Sequence, residues 1–191
     1  PGFLDSLNDY PGSMITRTAT KLLMITGLRT IELRTSEWSD IDFEKGIWQI
    51  PAERMKMRRP HIVPISRQAR ELLEEIHQLT GRGRYVFHGR NDAGKPMSEA
   101  SINQVIKRIG YDGKATGHGF RHTLSTILHE QGYNSAWIET QLAHVDKNSI
   151  RGTYNHAQYL EGRREMLQAY ADYLDALESG ANVVHGKFAL S

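Results

Sequence analysis

The sequence predicts an α+β fold that is mainly α-helical and contains a small three-stranded antiparallel sheet. Apolar residues recur at helical spacing in several stretches, and glycines follow many of these stretches where a helix would end. Between residues 41 and 65 the pattern changes to short β-branched and aromatic runs separated by turns. With 191 residues the chain can bury a full core, so one compact domain is expected.

The first predicted helices lead directly to a candidate functional residue. Residues 13 to 26 carry apolar side chains at helical spacing, and Gly27 follows where a helix would stop. Arg29 therefore lies just past a helix end. A second, short helix is predicted from Ile31 to Glu37.

Three strands follow these helices. Residues 41 to 50 predict a strand, a turn and a second strand, and residues 62 to 65 predict a third. Lys56 lies in the connection between the last two strands, where a loop could project its ammonium group into a groove.

The second half of the chain is predicted to be helical. One expected helix runs from the N-cap Ser66 to Gly81, and the next runs from the N-cap Ser98 to Gly110. A third covers the sequence HGFRHTLSTILHEQG and ends at Gly132. A fourth begins at Asn134 and ends near His144, and a fifth runs from about Ala157 to Leu177. The last helix has an amphipathic stripe that either covers its own core or docks onto a neighbouring subunit. We expect a domain over residues 1–178 and a tail over 179–191.

Composition excludes several kinds of chemistry. The chain has no cysteine, which excludes disulfides, thiolate catalysis and zinc bound by cysteine. It has no apolar run of membrane-spanning length and its first residues do not resemble a signal peptide, so we expect a cytoplasmic protein without a membrane partner. The net charge of +2 is too small to indicate a polyanionic partner by itself.

Basic residues are nevertheless concentrated locally. Arg54, Lys56, Arg58 and Arg59 lie in one short segment, and no acidic residue follows Glu53 there. A basic run of this kind is usually a solvated face, but it also suits contact with the phosphates of DNA.

Six residues form a candidate catalytic set: Arg29, Lys56, His118, Arg121, His144 and Tyr154, with Glu32 beside the first. Guanidinium and imidazole groups suit a phosphodiester whose negative charge grows as a nucleophile attacks, and a tyrosine can supply the nucleophile.

Each member of this set also has a simpler interpretation. Arg29 could have no role beyond an ion pair with Glu32 at i,i+3. His118 and His122 could bind a metal at i,i+4, although no acidic residue lies between them. Tyr154 could be a buried aromatic residue, with Tyr159 as a rival nucleophile.

Taken together and in their order along the chain, four segments favour the catalytic interpretation of this set. They are TGLRTIELRTSEWSDIDFEKGIWQIP, RMKMRRPHIVPIS, GHGFRHTLST and LAHVDKNSIRGTYNHAQYLEGRREM. The chain resembles the catalytic domain of tyrosine recombinases over nearly its whole length, and the sequences of these segments are similar to those of integrases of satellite phages and genomic islands. The resemblance implies the fold of that catalytic domain and site-specific DNA recombination, the integration or excision of a mobile element.

The resemblance assigns roles by position. Arg29 and Arg121 would hold the scissile phosphate, with Glu32 orienting Arg29. Lys56 would protonate the leaving 5′-oxygen, His118 would transfer protons, and His144 would hydrogen-bond the phosphate. Tyr154 would attack to form a 3′-phosphotyrosyl link. The neighbouring Arg54, Arg58 and Arg59 are predicted DNA contacts.

The resemblance also implies partners. These are double-stranded DNA attachment sites, a homotetramer on DNA that is weakly associated or monomeric as a free fragment, and accessory DNA-bending proteins or an excisionase. No cofactor and no metal are expected. Because N-terminal DNA-binding parts of the family are missing before Arg29, we expect a catalytic fragment that binds DNA weakly.

Three alternatives stay open at this stage. A type IB topoisomerase uses nearly the same residues to relax supercoils. A catalytically silent DNA-binding module would use only the basic turn, and a histidine-based metal-dependent nuclease would lose activity in EDTA.

Overall fold

The computed structural model of the protein describes residues 2–55, 58–144 and 159–180. Within these ranges the fold is mainly helical with one three-stranded antiparallel sheet, which confirms the predicted class. The helices are α1 (Gly2–Asn8), α2 (Met14–Thr26), α3 (Thr30–Arg34), α4 (Arg67–Thr80), α5 (Ser101–Ile106), α6 (Gly119–Glu130), α7 (Ser135–Gln141) and α8 (Leu160–Glu178). The strands are β1 (Ile41–Asp42), β2 (Ile47–Ile50) and β3 (His61–Pro64). Short 3₁₀ turns lie at Trp38–Asp40 and Ala52–Arg54, and a π-helical turn at Lys107–Tyr111 continues α5.

The sheet has the strand order β1-β2-β3 and is anchored by one tryptophan. Trp48 of β2 pairs with Ile41 on one side and with Val63 on the other. Its indole is fully buried, and the indole N–H donates to the hydroxyl of Ser36 at 3.1 Å. A buried indole needs such an acceptor, so Ser36 fixes the sheet against the end of α3.

Helix α2 lies at the centre of the molecule and packs against α4, α5, α6 and α8. It ends at Gly27, whose backbone is left-handed with φ +65° and whose N–H donates to the carbonyl of Leu23 at 3.1 Å. A Cβ at Gly27 would lie 3.1 Å from a methyl carbon of Leu124 and 3.3 Å from one of Leu142. Glycine is therefore required both by the turn and by the close packing around it.

The predicted N-cap Ser66 is confirmed, and Asn134, predicted as the start of a helix, caps that helix. The hydroxyl of Ser66 accepts the N–H of Ala69 at the start of α4, and the side chain of Asn134 accepts the N–H of Ala136 at the start of α7. Each cap satisfies a backbone donor that the helix itself leaves without a partner.

Other boundaries differ from the prediction. The helix expected after Ser98 begins at Ser101, because the Ser98 hydroxyl bonds the Ser101 hydroxyl at 2.9 Å and caps no backbone N–H. Helix α3 ends at Arg34, and the chain then turns where the carboxylate of Asp40 accepts the N–H of Glu37. Helix α1 was not predicted.

The last helix also starts later than expected, at Leu160, while residues 157 and 158 lie outside the described ranges. Within the described ranges, no helix combines the length and apolar character needed to span a membrane.

Candidate active site

Arg29 lies in the tight link between α2 and α3 and is oriented by Glu32. One carboxylate oxygen of Glu32 accepts the backbone N–H of Arg29 at 2.9 Å, and the other accepts its guanidinium at 2.6 Å. The Glu32 side chain is buried, whereas that of Arg29 is 27% exposed. The carboxylate thus fixes one side of the guanidinium and leaves the other side open to solvent.

Arg121 is a buried residue in the first turn of α6 and is 5% exposed. Its guanidinium donates to the carbonyl oxygens of Gly27 and of Leu142, the latter at 2.6 Å. These carbonyls lie two residues before Arg29 and two residues before His144, so one side chain joins three of the four segments that carry the resemblance. A guanidinium has five N–H donors, of which these bonds use two.

The charge of Arg121 is maintained despite its burial. Burial lowers the pKa of Arg121 from its usual 12.5 to about 10, and the nearby positive charge of Arg29 acts in the same direction, while Glu32 opposes both. At neutral pH Arg121 stays protonated, so two positive charges lie close together at this site. Such a pair of guanidinium groups suits an anion that accepts hydrogen bonds from both of them.

His118 directly precedes α6 and is exposed to solvent. The residue before it, Gly117, is buried, and a Cβ there would lie 3.0 Å from the hydroxyl of Thr30. Thr30 follows Arg29 in the chain. The loop that delivers His118 therefore packs directly against the start of α3, beside Arg29.

His144 follows α7 and is exposed, and its ring is held by a residue that the sequence analysis missed. The Nδ1 atom of His144 lies 2.8 Å from a carboxylate oxygen of Glu139. Because a carboxylate accepts, Nδ1 carries a proton that points to Glu139, and Nε2 is the nitrogen left to face a substrate. Ala143, directly before His144, has φ +49°, a conformation that non-glycine residues rarely adopt.

Lys56 and Tyr154 lie outside the described residues, and their roles stay predictions. The turn that carries Lys56 is described on both sides. Before it, Arg54 forms an ion pair with Asp40 and donates to the carbonyl of Thr35 at 2.6 Å. After it, Arg58 is exposed with φ +53°.

The described part of the site does not form a metal centre. His118, directly before α6, and His122, on α6, are both exposed, but no group of three or more histidine, aspartate or glutamate side chains suited to a metal occurs within residues 2–55, 58–144 and 159–180.

Comparison with known proteins identifies the family. The model of the phage integrase family matches residues 2–161. The chain belongs to this family. It is 49% identical to the integrase of Shigella phage Sf6 over 176 residues, which cover 92% of this chain and 46% of that protein. The chain thus spans about half the length of the curated relatives that it matches.

Solved structures share the fold of this phage integrase family member. The match to the XerA recombinase covers 95% of this chain and 62% of the XerA chain, with a TM-score of 0.63 and 16% identity. The XerH site-specific recombinase bound to difH substrate covers 84% of this chain and 50% of its own, with a TM-score of 0.58 and 22% identity. These similarities confirm the predicted fold.

The sequence analysis missed the residues that hold the site together. Glu139, Asp40, Gln141 and Arg163 all bond to segments that carry predicted catalytic residues. Only Glu139 has a local signal, since it lies five residues before His144. The other three act across long sequence separations, which no periodicity or spacing reveals.

Proposed function

We propose that this chain is the catalytic part of a site-specific tyrosine recombinase that integrates or excises a mobile element. The observation that carries the proposal is the placement of Arg121. Its guanidinium bonds the backbone just before Arg29 and just before His144, and it lies in the same helical turn as His118. Four residues of the predicted set are thereby brought into one neighbourhood, with two positive charges side by side.

The proposed chemistry uses these groups on one phosphodiester. Tyr154 attacks phosphorus in line, a 3′-phosphotyrosyl bond forms, and the bond from phosphorus to the 5′-oxygen breaks. Arg29 and Arg121 stabilise the non-bridging oxygens as charge accumulates. In its imidazolium form, His144 donates from Nδ1–H to Glu139 and from Nε2–H to one of these oxygens. Lys56 gives its proton to the departing 5′-oxygen, and His118 takes the phenolic proton of Tyr154.

The reaction is reversible and needs no external energy source. The phosphotyrosyl bond conserves the energy of the phosphodiester, so a 5′-hydroxyl from another strand can attack it and restore tyrosine. Strand exchange rather than hydrolysis is therefore the expected outcome. No cofactor or metal takes part in any of these steps.

Double-stranded DNA is the proposed partner. The described basic side chains that are exposed to solvent are Lys45, Arg58, Arg59, Arg67, Arg82, Arg84, Arg90, Lys95, Lys107, Arg108 and Lys114. We retain Arg58 and Arg59 as DNA contacts of the turn. Arg54 is not retained, because its guanidinium is engaged by Asp40 and Thr35 inside the protein. A related fold in the XerH recombinase is bound to its difH substrate, which supports this partner.

The assembly on DNA is part of the same proposal. We expect four protomers on two duplexes, with DNA-bending proteins or an excisionase as accessory factors. Sedimentation of the protein with synaptic DNA tests the stoichiometry: a complex with a single protomer per duplex pair contradicts it.

The direct test is covalent capture of DNA. The protein is incubated with a library of nicked duplexes of random sequence, and the species that survive denaturation are recovered and sequenced. We expect an adduct on a defined set of sequences that Tyr154→Phe abolishes and Tyr159→Phe retains. EDTA should not affect it, whereas a metal-dependent nuclease would be inhibited and would leave no adduct.

Each outcome separates the alternatives. An adduct that survives in Tyr154→Phe and disappears in Tyr159→Phe moves the nucleophile to Tyr159. No adduct, with DNA binding retained, favours the silent binding module. The topoisomerase alternative is not favoured, because the relatives are integrases and recombinases. It would be revived only by relaxation of supercoils without joining of two sites.

A further inference from the structure

Gln141, at the C-terminal end of α7, is only 1% exposed and takes part in three kinds of buried hydrogen bond. Its amide nitrogen donates to the carbonyl of Thr26 at 2.8 Å. Its backbone carbonyl lies 3.0 Å from Nε2 of His61, which must be the donor because a carbonyl only accepts. Its amide oxygen accepts from Arg163.

Arg163 of α8 completes this network, which we call the Gln141 hub: Thr26, His61, Ile62, Gln141 and Arg163. The Arg163 side chain is 0% exposed. Its Nε and Nη2 atoms lie 3.2 and 2.7 Å from the amide oxygen of Gln141, and Nη2 also donates to the carbonyl of Ile62 at 2.6 Å.

A buried arginine of this kind is costly for the fold. Within the described residues, the hydrogen-bond acceptors of the Arg163 side chain are the amide oxygen of Gln141 and the carbonyl of Ile62, neither of them a carboxylate, and its Nη1 atom has no hydrogen-bond partner. Burial lowers the pKa of Arg163 to about 10, so it remains charged at neutral pH. Apolar side chains of similar volume often replace buried charges without loss of stability. Packing alone therefore does not explain an arginine at this position.

The positions of the hub residues along the chain suggest another reason. Thr26 lies three residues before Arg29, His61 five after Lys56, Gln141 three before His144, and Arg163 nine after Tyr154. The carbonyls that bind Arg121 belong to Gly27 and Leu142, the residues directly after Thr26 and Gln141. Through its amide and its backbone carbonyl, Gln141 thus bonds residues near Arg29, Lys56 and Tyr154 in the sequence, and it lies near His144 itself.

We propose that Gln141 and Arg163 are positioning residues that set the mutual placement of the catalytic segments; this inference rests on the proposed recombinase function. Neither residue is expected to touch DNA, because both are buried. Their effect is on the rate of strand cleavage at saturation, since a misplacement of about 1 Å can cost on the order of 100-fold in rate.

The test compares Arg163→Met with Arg164→Met. Arg164 is the next residue of α8, and its guanidinium also bonds backbone carbonyls, those of Lys45 and Gly46 at 3.2 and 3.1 Å. Both variants lose an arginine that fastens α8 to the sheet region, but only Arg163 belongs to the hub. Single-turnover cleavage at saturating protein, the Kd for DNA and the thermal midpoint are measured on one nicked duplex that the wild-type protein cleaves.

We expect Arg163→Met to cleave roughly 10- to 100-fold more slowly, with an unchanged Kd, while Arg164→Met cleaves at the wild-type rate. Three results overturn the inference: a wild-type rate in Arg163→Met, an equal loss in Arg164→Met, or a loss that disappears when rates are corrected for the folded fraction.

A second variant covers the case in which Arg163→Met does not fold. Gln141→Glu keeps an acceptor for Arg163 and gives it a counter-charge, but it removes the donor to Thr26. We expect a folded protein with slowed cleavage, and a wild-type rate overturns the inference. Absence of an adduct in wild type overturns the proposed function as well, whereas a wild-type adduct with unaffected variants overturns the positioning role alone.

Discussion

Arg54 and Asp40 form an ion pair at the foot of the turn that carries Lys56. The Arg54 side chain is 20% exposed and that of Asp40 only 7%. Because Arg54 also donates to the carbonyl of Thr35, it fastens the turn to the end of α3, the helix that begins directly after Arg29. Within one short basic segment, Arg54 is therefore structural while Arg58 and Arg59 face solvent.

Replacement of Arg54 by methionine should destabilise the protein. It leaves the mostly buried carboxylate of Asp40 without its counter-charge, so we expect the free energy of unfolding to fall by about 1 to 3 kcal/mol in urea titrations. Arg84→Met is the control, because its ion pair with Glu37 is 67% exposed on the arginine side and should contribute less than about 1 kcal/mol. Equal losses in the two variants would show that the Arg54 pair is not a structural anchor.

Gly27→Ala should also destabilise the fold, by more than the same change at Gly132. Both glycines have positive φ, +65° and +82°, where an L-residue costs about 1 to 2 kcal/mol. Only at Gly27 would the new Cβ press against Leu124 and Leu142, since nothing lies within 4 Å at Gly132. Thermal or urea unfolding of the two variants measures the difference, and a larger loss at Gly132 would contradict the crowding at Gly27.

The fold was largely predictable because its signals are local. Apolar spacing located α2, α4 and α8, and residue type at the right position indicated Ser66 as an N-cap and Asn134 as the start of a helix. Ser98 failed as a cap because its hydroxyl bonds another hydroxyl, a preference that residue type alone does not reveal. Helix α1 was missed because its apolar residues are few and one of them, Leu7, is buried partly against a distant residue, Val105.

The candidate site was predictable to a different extent. Its reactive residue types could be read from ordered segments of sequence, and the Arg29–Glu32 pair followed from i,i+3 spacing on a short helix. The residues that join those segments were not predictable, because the bond from Gln141 to Thr26 spans 115 positions. A buried glutamine or arginine has no sequence pattern that distinguishes it from an exposed one.

Glu32→Gln should affect both stability and cleavage. The buried carboxylate accepts two donors from Arg29, whereas an amide offers only one acceptor oxygen and places an NH₂ group against the second donor. We expect a loss of about 1.5 to 3 kcal/mol in the free energy of unfolding and slower single-turnover cleavage, because Arg29 is no longer fixed.

Glu71→Gln is the matched control for Glu32→Gln. It alters an ion pair with Arg67 whose side chains are 57% and 60% exposed, so the stability change should stay within about 0.5 kcal/mol and cleavage should be normal. A Glu32→Gln protein as stable and active as this control would remove Glu32 from its orienting role.

Glu139→Ala should slow cleavage without destabilising the protein. Its hydrogen bond with His144 joins side chains that are both about half exposed, so its removal should change the free energy of unfolding by less than about 1 kcal/mol. The imidazole would then be free to rotate and to place its proton on either nitrogen, and we expect cleavage up to about tenfold slower at saturating protein. Nitrogen NMR of the neutral ring supplies an independent readout, since Glu139 should hold the proton on Nδ1 and the variant should shift it towards Nε2.

Glu130→Ala removes an exposed carboxylate from the end of α6 and serves as the control. Identical cleavage rates and identical tautomer ratios in the two variants would show that Glu139 does not orient His144.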